Sequence, residues 1–340
     1  MKGRKTMKIA AWNTPARRID PMTPSPAPRV LTLTLNPSVD ISYEIDRLVE
    51  DRKVHASAYR LDPGGNGINV ARALTRLHIA VHAFFVAAGE TGALLEHLVA
   101  KQIANPHCRH IAGETRINVT IEARNPRAQY EVIGVGPTID DTTLDAIVGD
   151  VVALADDGYV VLTGSLPPGA SAGTYNRIMR ALGPRVRVVV DMQGEALARA
   201  IEAKPFLIKP NRYEFEEFVG RALPTLDDVQ REARALQATG VTHVCVSLGA
   251  DGAVLADAQG VRHAWPPQVD VQSTVGAGDS MVAGLIAAFA QGGGSAQALR
   301  LGLACGSATA AQPGTELFDG AEVQALAAGV DVRLLAPAPP

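Results

Sequence analysis

The chain has 340 residues, of which 47% are hydrophobic and 20% charged, and its formal net charge is −3 at pH 7. This length is enough for one large α/β domain or two medium ones, and the composition is typical of an ordinary globular protein. The small negative charge gives no general attraction to nucleic acid or to anionic membranes. No run of about 18 apolar residues predicts a transmembrane helix. We therefore expect neither a nucleic-acid partner nor a membrane partner.

The cysteine spacing indicates the type of protein, and the two chain ends indicate where the folded domain begins and ends. Cys108, Cys245 and Cys305 are far apart and predict neither a disulfide framework nor a metal-ligand cluster, which is typical of a cytoplasmic protein. Residues 1–29 contain seven Lys or Arg residues against one acidic residue and no apolar segment of a secretory signal, so they predict a disordered extension or an over-called start codon. Residues 336–340 predict a disordered tail, which leaves 30–335 for the folded domain.

Apolar runs alternate with helical patterns along the body of the chain. A first strand is predicted at 30–36, and buried strands follow at 80–86, 159–163, 186–191, 206–209 and 241–248. Helices are predicted at 91–103, 144–155, 173–182, 196–203, 213–219 and 226–238, and the chain is mostly helical after Asp279. This order predicts an α/β fold with a mostly parallel central sheet, helices on both faces, and ligands at the carboxyl ends of the strands.

Four short segments break the alternation of strands and helices. They show a period of two residues and lie at 41–45, 55–61, 117–123 and 130–135. No long helix separates the members of each pair, so the segments predict a small accessory sheet built from two excursions near 41–61 and 115–135.

The segment 273–281 (STVGAGDSM) carries the most chemistry. Gly276, Ala277 and Gly278 turn the chain into an apolar helical run, and the first amide groups of that helix lack intrahelical acceptors. Such a helix start attracts anions, and Asp279 beside it could take a proton from an alcohol while the amides stabilise a phosphoryl group. The structural alternative is that Asp279 only caps the helix.

Other loops rich in glycine or proline each follow a predicted strand. They are 62–74 (DPGGNGINVARAL), 163–169 (TGSLPPG), 208–214 (IKPNRYE) and 247–252 (SLGADG), and Asp40 closes the first strand. Each loop alone could be a plain turn, and Asn211 with Glu214 could simply form a capping box. Together they would meet at one edge of the sheet, where an open α/β fold binds its ligands.

This ordered set of motifs resembles the ribokinase-like (PfkB-type) sugar kinases over roughly residues 30–335. The motifs are LNPSVD, PGGNGINVARA, TGSLPPG, IKPNRYE, VSLGADGA and STVGAGDSMVAG. The resemblance implies a Rossmann-like sandwich with a small β-sheet lid, and that lid commonly forms a dimer interface, so a homodimer is expected. Within the family, the chain is similar to the branch that acts on phosphorylated ketohexoses, which includes the minor bacterial 6-phosphofructokinases.

The resemblance also implies roles for individual residues. Asp279 would be the base, and the amides of Gly276, Ala277 and Gly278 would form the anion hole. The sugar would be bound by Asp40, Gly65, Asn66, Gly67, Asn69 and Asn118. ATP would be bound by Lys209, Asn211, Ser247, Gly249 and Gly252. Glu214 would orient Mg²⁺ through water, and a possible K⁺ would lie near Ser273, Val275, Thr309, Gln312 and Gly314.

A substrate that already carries a phosphate requires cationic side chains. Arg116 and Lys53 match the arginine and lysine of the phosphofructokinases, and Ser165 would add a hydroxyl donor; each charge could instead lie at a solvated surface. Related 1-phosphofructokinases and tagatose-6-phosphate kinases usually carry lysine where this chain has Asn66, which favours fructose 6-phosphate. Glu131 departs from the pattern, because an acid there would oppose a phosphate.

The sequence thus predicts a cytoplasmic kinase that uses ATP and Mg²⁺ to convert fructose 6-phosphate to fructose 1,6-bisphosphate. Tagatose 6-phosphate and fructose 1-phosphate remain alternative acceptors. A catalytically silent sugar-phosphate sensor is the alternative from another class. A dinucleotide-dependent oxidoreductase ranks last, because the chain lacks the third glycine of the dinucleotide fingerprint.

Overall fold

The computed structural model describes residues 29–337, so residues 1–28 of the predicted extension and residues 338–340 of the predicted tail lie outside the described part. The strands are β1 (Val30–Thr34), β2 (Ser38–Ile45), β3 (Ala58–Gly64), β4 (Val81–Ala87), β5 (Asn105–His110), β6 (Arg116–Arg124), β7 (Arg127–Val132), β8 (Tyr159–Thr163), β9 (Arg187–Asp191), β10 (Leu207–Ile208), β11 (His243–Ser247), β12 (Ala253–Asp257), β13 (Gly260–Ala264) and β14 (Val332–Pro337). The helices are α1 (Asn66–Arg76), α2 (Gly89–Ala100), α3 (Asp141–Leu154), α4 (Thr174–Leu182), α5 (Gly194–Ile201), α6 (Arg212–Val219), α7 (Leu226–Ala238), α8 (Ala277–Ala290), α9 (Ser295–Ala310) and α10 (Gly320–Ala328).

The central sheet has ten strands in the order β14-β13-β12-β11-β10-β9-β8-β1-β4-β5. The strands from β11 to β5 are parallel to one another, which confirms the predicted mostly parallel sheet. Strand order reverses between β1 and β8, because the chain runs outward from β1 through β4 on one side and from β8 through β9 on the other. Open α/β sheets bind their ligands at such a reversal, outside the carboxyl ends of the strands.

Both faces of this sheet are covered, because successive side chains of each strand enter different apolar clusters. Along β8, Tyr159 and Val161 pack into the cluster that contains α8 and α9, whereas Val160 and Leu162 pack into the cluster on the other face. Alternation of buried residues on both faces is what a parallel sheet between two helical layers requires. The predicted helices on both faces are confirmed. Within residues 29–337, the structure has no helix long and apolar enough to cross a membrane.

The structure also contains strands that the sequence did not predict. β5 is an edge strand with a mostly polar sequence, and β12, β13 and β14 extend the sheet in antiparallel order at the opposite edge. β14 includes Ala336 and Pro337, which the sequence assigned to a disordered tail. Ala336 pairs with Val261 of β13, and Arg234 Nη1 donates a hydrogen bond of 2.9 Å to the Pro337 carbonyl. The tail prediction was therefore wrong for these two residues, because strand pairing and this bond fix them.

The predicted accessory sheet is present as four strands in the order β3-β2-β6-β7. Its face toward the central sheet carries polar side chains, including Asp40 of β2 and Asn118 of β6, which pair across the strands. Its opposite face is apolar, and the cross-strand rows are Tyr59, Tyr43, Ile121 and Tyr130, followed by Leu61, Ile41, Val119 and Val132. The two excursions that the sequence predicted thus form one small sheet, with chemically different faces.

Candidate active site

Helix α8 begins at the Gly-Ala-Gly turn with its first amide groups free of intrahelical acceptors. Gly276 is the N-cap residue in a left-handed conformation (φ 75°), which glycine adopts without strain. The first i to i−4 bond runs from the Ser280 amide to the Gly276 carbonyl, and the Ala277 amide makes a long bond of 3.3 Å to the Thr274 carbonyl. The amides of Gly278 and Asp279 therefore lie at the positive end of the helix without an intrahelical acceptor, which suits an anion.

Asp279 does not cap this helix. It lies inside the first turn, is only 5% exposed, and its carboxylate accepts hydrogen bonds from two amide side chains of α1. Asn66 Nδ2 donates to Oδ1 and Asn69 Nδ2 donates to Oδ2, each at 3.0 Å. Helix α1 packs against α8, which brings these residues together. Asn66 and Asn69, which the sequence assigned to the sugar, thus contact the candidate base directly.

Arg72 contacts Asn69 on the side of the Asn69 amide that faces away from Asp279. It is buried, and its Nη1 donates a hydrogen bond of 3.2 Å to Asn69 Oδ1. Because the Asn69 oxygen accepts from Arg72, the Asn69 amide nitrogen faces Asp279. Arg72 was not among the predicted site residues. Its place one helical turn after Asn69 on α1 is the signal that could have found it.

Burial raises the pKa of Asp279 to about 7, and the charge of Asp191 adds to the rise. The hydrogen bonds from Asn69 and Asn66 and the charge of Lys209 act in the opposite direction. A carboxylate with a pKa near neutral pH is well suited to accept a proton from an alcohol, because general bases work best near the operating pH.

Lys209 and Asp191 form a buried ion pair beside this turn. Lys209 Nζ lies 3.2 Å from Asp191 Oδ1, at the carboxyl ends of β10 and β9. A Cβ built on Gly278 would lie 3.6 Å from Lys209 Nζ, so the ammonium group borders the start of α8. Burial lowers the pKa of Lys209, but the charges of Asp191 and Glu214 outweigh it and the pKa is raised overall. Asp191 was missed as a site residue, although its strand-end position could have indicated it.

The predicted nucleotide-side residues lie at neighbouring strand ends. Asn211 and Glu214 form the capping box of α6, as the structural alternative predicted, and burial raises the pKa of Glu214. Asn211 forms an isolated parallel bridge with Ser247, which closes β11. Gly249 has a positive φ of 61° and open space at its Cβ position. Gly252 instead lies against the Ala264 backbone, with which any Cβ would clash, so packing alone accounts for this glycine.

Asp40 lies on the small sheet in a tight polar cluster. Ser38 Oγ donates a hydrogen bond of 2.7 Å and Asn118 Nδ2 one of 2.9 Å to Asp40 Oδ1, which leaves Oδ2 free of side-chain donors within the described residues. Burial raises the pKa of Asp40. A Cβ on Gly64 would clash with Asp40 Oδ2, so the glycine keeps space beside that oxygen. The cluster can accept hydrogen bonds from sugar hydroxyls.

Gly65 and Gly67 begin α1 against the end of β1. Gly65 has φ 115°, and its Cβ would meet Thr34 Cγ2 at 2.6 Å. A Cβ on Gly67 would lie 2.6 Å from the Leu33 carbonyl oxygen. These two predicted sugar-site glycines therefore have a packing role at the turn that positions Asn66.

Arg116 lies at the far corner of the site, where the strand order reverses. Its Nη2 donates a hydrogen bond of 2.8 Å to the Asn36 carbonyl, and its buried Nε has no hydrogen-bond partner in the described part of the chain. Asn36 Nδ2 in turn donates to Ser165 Oγ at 3.1 Å. A Cβ on Gly136 would clash with Asn36 Oδ1, so this glycine lets the chain pass close to the Asn36 side chain.

Two charged residues of the small sheet lie apart from this cluster. Lys53 is exposed in the loop between β2 and β3 and makes no ion pair with any residue of 29–337. Glu131 is exposed on β7, where Gln129 Nε2 donates to it at 2.7 Å. The structure thus does not bring Lys53 into the site, and it directs Glu131 to a neighbour on its own strand.

The five predicted K⁺ residues come from the loop before α8 and from the end of α9 with the segment that follows it. The amides of Gln272 and Ser273 donate to the Ala310 carbonyl, which joins the loop before α8 to the end of α9 near Thr309. Gln312 turns toward Glu322, with its Nε2 3.3 Å from Oε2. Gly314 lies against Arg60, since a Cβ on this glycine would be 2.6 Å from Arg60 Nη2. Ser273, Val275 and Thr309 are the members that lie beside the start of α8.

Comparisons with known proteins agree with this geometry. Residues 33–319 match the family model described as pfkB family carbohydrate kinase. A 1-phosphofructokinase of Bacillus subtilis (strain 168) is 37% identical over 292 residues, which cover 85% of this chain and 95% of that protein. The ATP-dependent 6-phosphofructokinase isozyme 2 of Escherichia coli (strain K12) is 34% identical over 292 residues, with 85% and 94% covered.

The fold comparison points the same way. The crystal structure of phosphofructokinase-2 from Escherichia coli in complex with potassium matches with a TM-score of 0.83 at 33% identity, over 88% of this chain and 98% of that one. The large sheet with its separate small sheet is therefore the ribokinase-like architecture that the motifs implied. The chain belongs to the pfkB family of carbohydrate kinases, enzymes that transfer a phosphoryl group to an alcohol of a sugar.

Proposed function

We propose that this kinase phosphorylates fructose 6-phosphate with ATP to give fructose 1,6-bisphosphate and ADP. The observation that carries the proposal is a row of polar side chains along the candidate site, with the candidate base at one end and a cationic group at the other. Asp279 lies at one end beside Asn66, and Asn66 Oδ1 is the atom that a Cβ on Gly164 would meet at 3.2 Å. Ser165 comes next and accepts a hydrogen bond from Asn36, and the Asn36 carbonyl accepts one from Arg116 at the other end of the row. Such a lining suits a sugar with a reactive hydroxyl at one end and an anion at the other.

The chemistry is direct in-line transfer. Asp279 accepts the proton of the C1 hydroxyl as the sugar oxygen bonds to the γ-phosphorus, and the bond from that phosphorus to ADP breaks. The amides of Gly278 and Asp279 stabilise charge on the transferred group, and Lys209 adds a cation at the same place. Burial among these groups removes water, so each interaction is stronger than it would be in solution.

Mg²⁺ and K⁺ are proposed as accompanying ions. Glu214 and Asp191 bring two carboxylates to the Lys209 side of the site, which suits Mg²⁺ bound through few carboxylates, water and phosphates. When bound, Mg²⁺ supplies neutralisation of phosphate charge. A K⁺ beside Ser273, Val275 and Thr309 is supported by the likeness to the Escherichia coli protein solved with potassium.

Fructose 1-phosphate is a second candidate acceptor. The Bacillus subtilis relative named 1-phosphofructokinase shares 37% identity with this chain, slightly more than the 34% of the 6-phosphofructokinase. Both acceptors yield the same bisphosphate and carry their phosphate at the end opposite the reacting hydroxyl. Asn66, in place of the lysine usual in 1-phosphofructokinases, supports the assignment of fructose 6-phosphate.

The test is ATP-dependent turnover by the purified full chain with one acceptor at a time, followed through ADP release. The acceptors are fructose 6-phosphate, fructose 1-phosphate, tagatose 6-phosphate and unphosphorylated fructose. We expect the highest kcat/KM with fructose 6-phosphate. A preference for another phosphorylated ketose would change the substrate assignment and keep the mechanism. Activity on unphosphorylated fructose alone would overturn the role of Arg116. No turnover with any acceptor would favour a silent sensor.

We also propose that the protein is a homodimer through the apolar face of the small sheet. Tyr59 is 70% exposed and Val132 61% exposed on this face, although both belong to continuous apolar rows. The exposed part of this face, which includes Tyr59, Tyr130 and Val132, is the kind of apolar patch that marks an interaction surface, and a second copy would cover it. Light scattering should show a dimer that Val132→Asp converts to a monomer. Gln129→Asp, on the polar face of β7, should leave it intact; a dimer that survives Val132→Asp would contradict the proposal.

We place the kinase in the cytoplasm, which ATP and sugar phosphates as substrates and three free cysteines support.

A further inference from the structure

A cluster of three metal-ligating side chains lies on the edge of the central sheet, apart from the active site. Cys108 and His110 are two residues apart on the edge strand β5, so both side chains point to the same face. Glu96 reaches that face from helix α2. The ligand atoms of Glu96, Cys108 and His110 all lie within 4.8 Å of one another, and His110 Nε2 is 2.6 Å from Glu96 Oε1.

These distances are close to those of a zinc site. Zinc bonds of about 2.0–2.3 Å place tetrahedral ligand atoms roughly 3.3–3.8 Å apart, so small side-chain rotations would suffice here. One sulfur, one imidazole nitrogen and one carboxylate oxygen form a donor set that selects zinc-like ions over Mg²⁺, which prefers oxygen. The alternative is that Glu96 and His110 form only an ion pair. That alternative does not explain why the Cys108 sulfur lies beside the same two ligand atoms.

The site also has an open side. The His110 side chain is 73% exposed and the Glu96 side chain 33% exposed, so the ligand atoms lie near the protein surface. An ion can therefore enter from solvent, and a water molecule or a small ligand can complete its coordination. The three protein ligands come from two elements, so a bound ion would join the edge strand to α2 and restrain an otherwise unpaired strand edge.

We propose that Glu96, Cys108 and His110 form a site for a zinc-class divalent cation, with its fourth position open to solvent. Cysteine spacing alone indicates no metal-ligand cluster, whereas strand β5, which was not predicted, aligns Cys108 with His110. The proposal is independent of the kinase substrate, because none of the three residues contacts the active-site cluster.

The test is titration of the untagged, metal-free protein with Co²⁺, followed by competition with Zn²⁺. Thiolate-bound Co²⁺ has a near-ultraviolet charge-transfer band, which oxygen-only Mg²⁺ sites cannot produce. We expect this band with one equivalent of Co²⁺, its displacement by Zn²⁺, and its loss in Cys108→Ser. His110→Ala and Glu96→Gln should weaken binding by about tenfold or more, since the loss of even an outer-shell partner typically costs that much.

His97→Ala is the matched control, because His97 is the neighbouring exposed histidine of α2 and lies outside the cluster. It should bind Co²⁺ as the wild type does. Kinase turnover of each variant reports whether it is folded, and if Cys108→Ser fails to fold, the two other ligand variants decide. Absence of the band in the wild type, its persistence in Cys108→Ser, or unchanged affinity in both His110→Ala and Glu96→Gln would overturn the proposal.

Discussion

Asn66 Nδ2 donates a hydrogen bond of 3.0 Å to Asp279 Oδ1, across 213 residues of chain. The bond joins the first residue of α1 to the first turn of α8. The loop expected to bind the sugar therefore also sets the orientation and the proton affinity of the candidate base. Asn69 repeats the arrangement on the second carboxylate oxygen, so α1 holds both oxygens of Asp279.

Asp279→Asn should lower kcat by about 10²–10⁴-fold, because general-base catalysis contributes that much and the amide cannot accept the proton. Nucleotide binding should change little, since the α8 amides and Lys209 remain. Calorimetric titration with ATP and steady-state turnover measure the two effects separately. Asp227→Asn, at the exposed start of α7, is the charge-matched control. A variant that retains near-wild-type turnover would remove Asp279 from the role of base.

The pH dependence of kcat/KM should show an acid limb near pH 7. The pKa of Asp279 is raised to about 7, and only the deprotonated carboxylate accepts a proton. Activity should therefore be full above this pH and fall about tenfold per pH unit below it. Turnover measured from pH 5 to 9 checks this, with the coupling enzymes in excess at each pH. A profile that stays flat down to pH 5 would contradict the raised pKa.

Asn66→Ala should move that acid limb to higher pH. The hydrogen bond from Asn66 lowers the pKa of Asp279, so its removal favours the protonated form further. At pH 9 the variant should recover more of its relative activity than at pH 7. Asn105→Ala on β5, remote from the turn, should leave the limb where it is in the wild type. An unshifted limb in Asn66→Ala would mean that the bond does not tune the base.

Arg116→Ala should raise the KM for the sugar phosphate by about ten- to hundredfold, since a hydrogen bond to a charged group contributes roughly 1.5–3 kcal/mol. The KM for ATP should not change, because Arg116 lies at the opposite corner from Lys209. Arg124→Ala is the control, as Arg124 is exposed on the same strand and pairs with Glu44. Equal effects on both substrates would show that Arg116 does not bind the phosphate.

Lys209→Met should lower the free energy of unfolding by about 3–5 kcal/mol, because it leaves Asp191 buried without its counter-charge. The double variant Lys209→Met/Asp191→Asn should recover much of this stability while turnover stays low. Urea unfolding and kinase assays measure both quantities, with Lys101→Met at the exposed end of α2 as the control. Full activity in the double variant would contradict a role for the pair in phosphoryl transfer.

The parallel sheet was predictable because its strands are short apolar runs separated by helices. β5 was missed, since NPHCRH has neither an apolar run nor an alternating pattern and pairs only through β4. β14 was missed because the Pro-rich end of the chain suggested a tail, although a proline at the end of an edge strand, such as Pro337, needs no donor. Both errors concern edge strands of the central sheet. There the hydrogen bonds to the neighbouring strand determine the structure, and the hydrophobic pattern of the sequence is weak.

In the candidate site, strand-end loops correctly indicated which segments approach one another. The sequence could not show that Asn66 and Asn69 contact Asp279, because that contact depends on how α1 packs against α8. Asp191 was missed for a related reason, because it pairs with Lys209 on another strand, and only the assembled fold identifies that partner. Arg72 contacts Asn69 one helical turn earlier on α1, but its link to Asp279 again depends on the packing of α1 against α8.

A single glycine connects two parts of this molecule that perform different tasks. Gly65, with φ 115°, stands between the end of β3 in the small sheet and Asn66 at the start of α1. A tilt of the small sheet would therefore act, one peptide unit away, on the side chain that hydrogen-bonds Asp279. An incoming sugar that draws the small sheet inward would, by that motion, adjust the strength of the base that is about to deprotonate it.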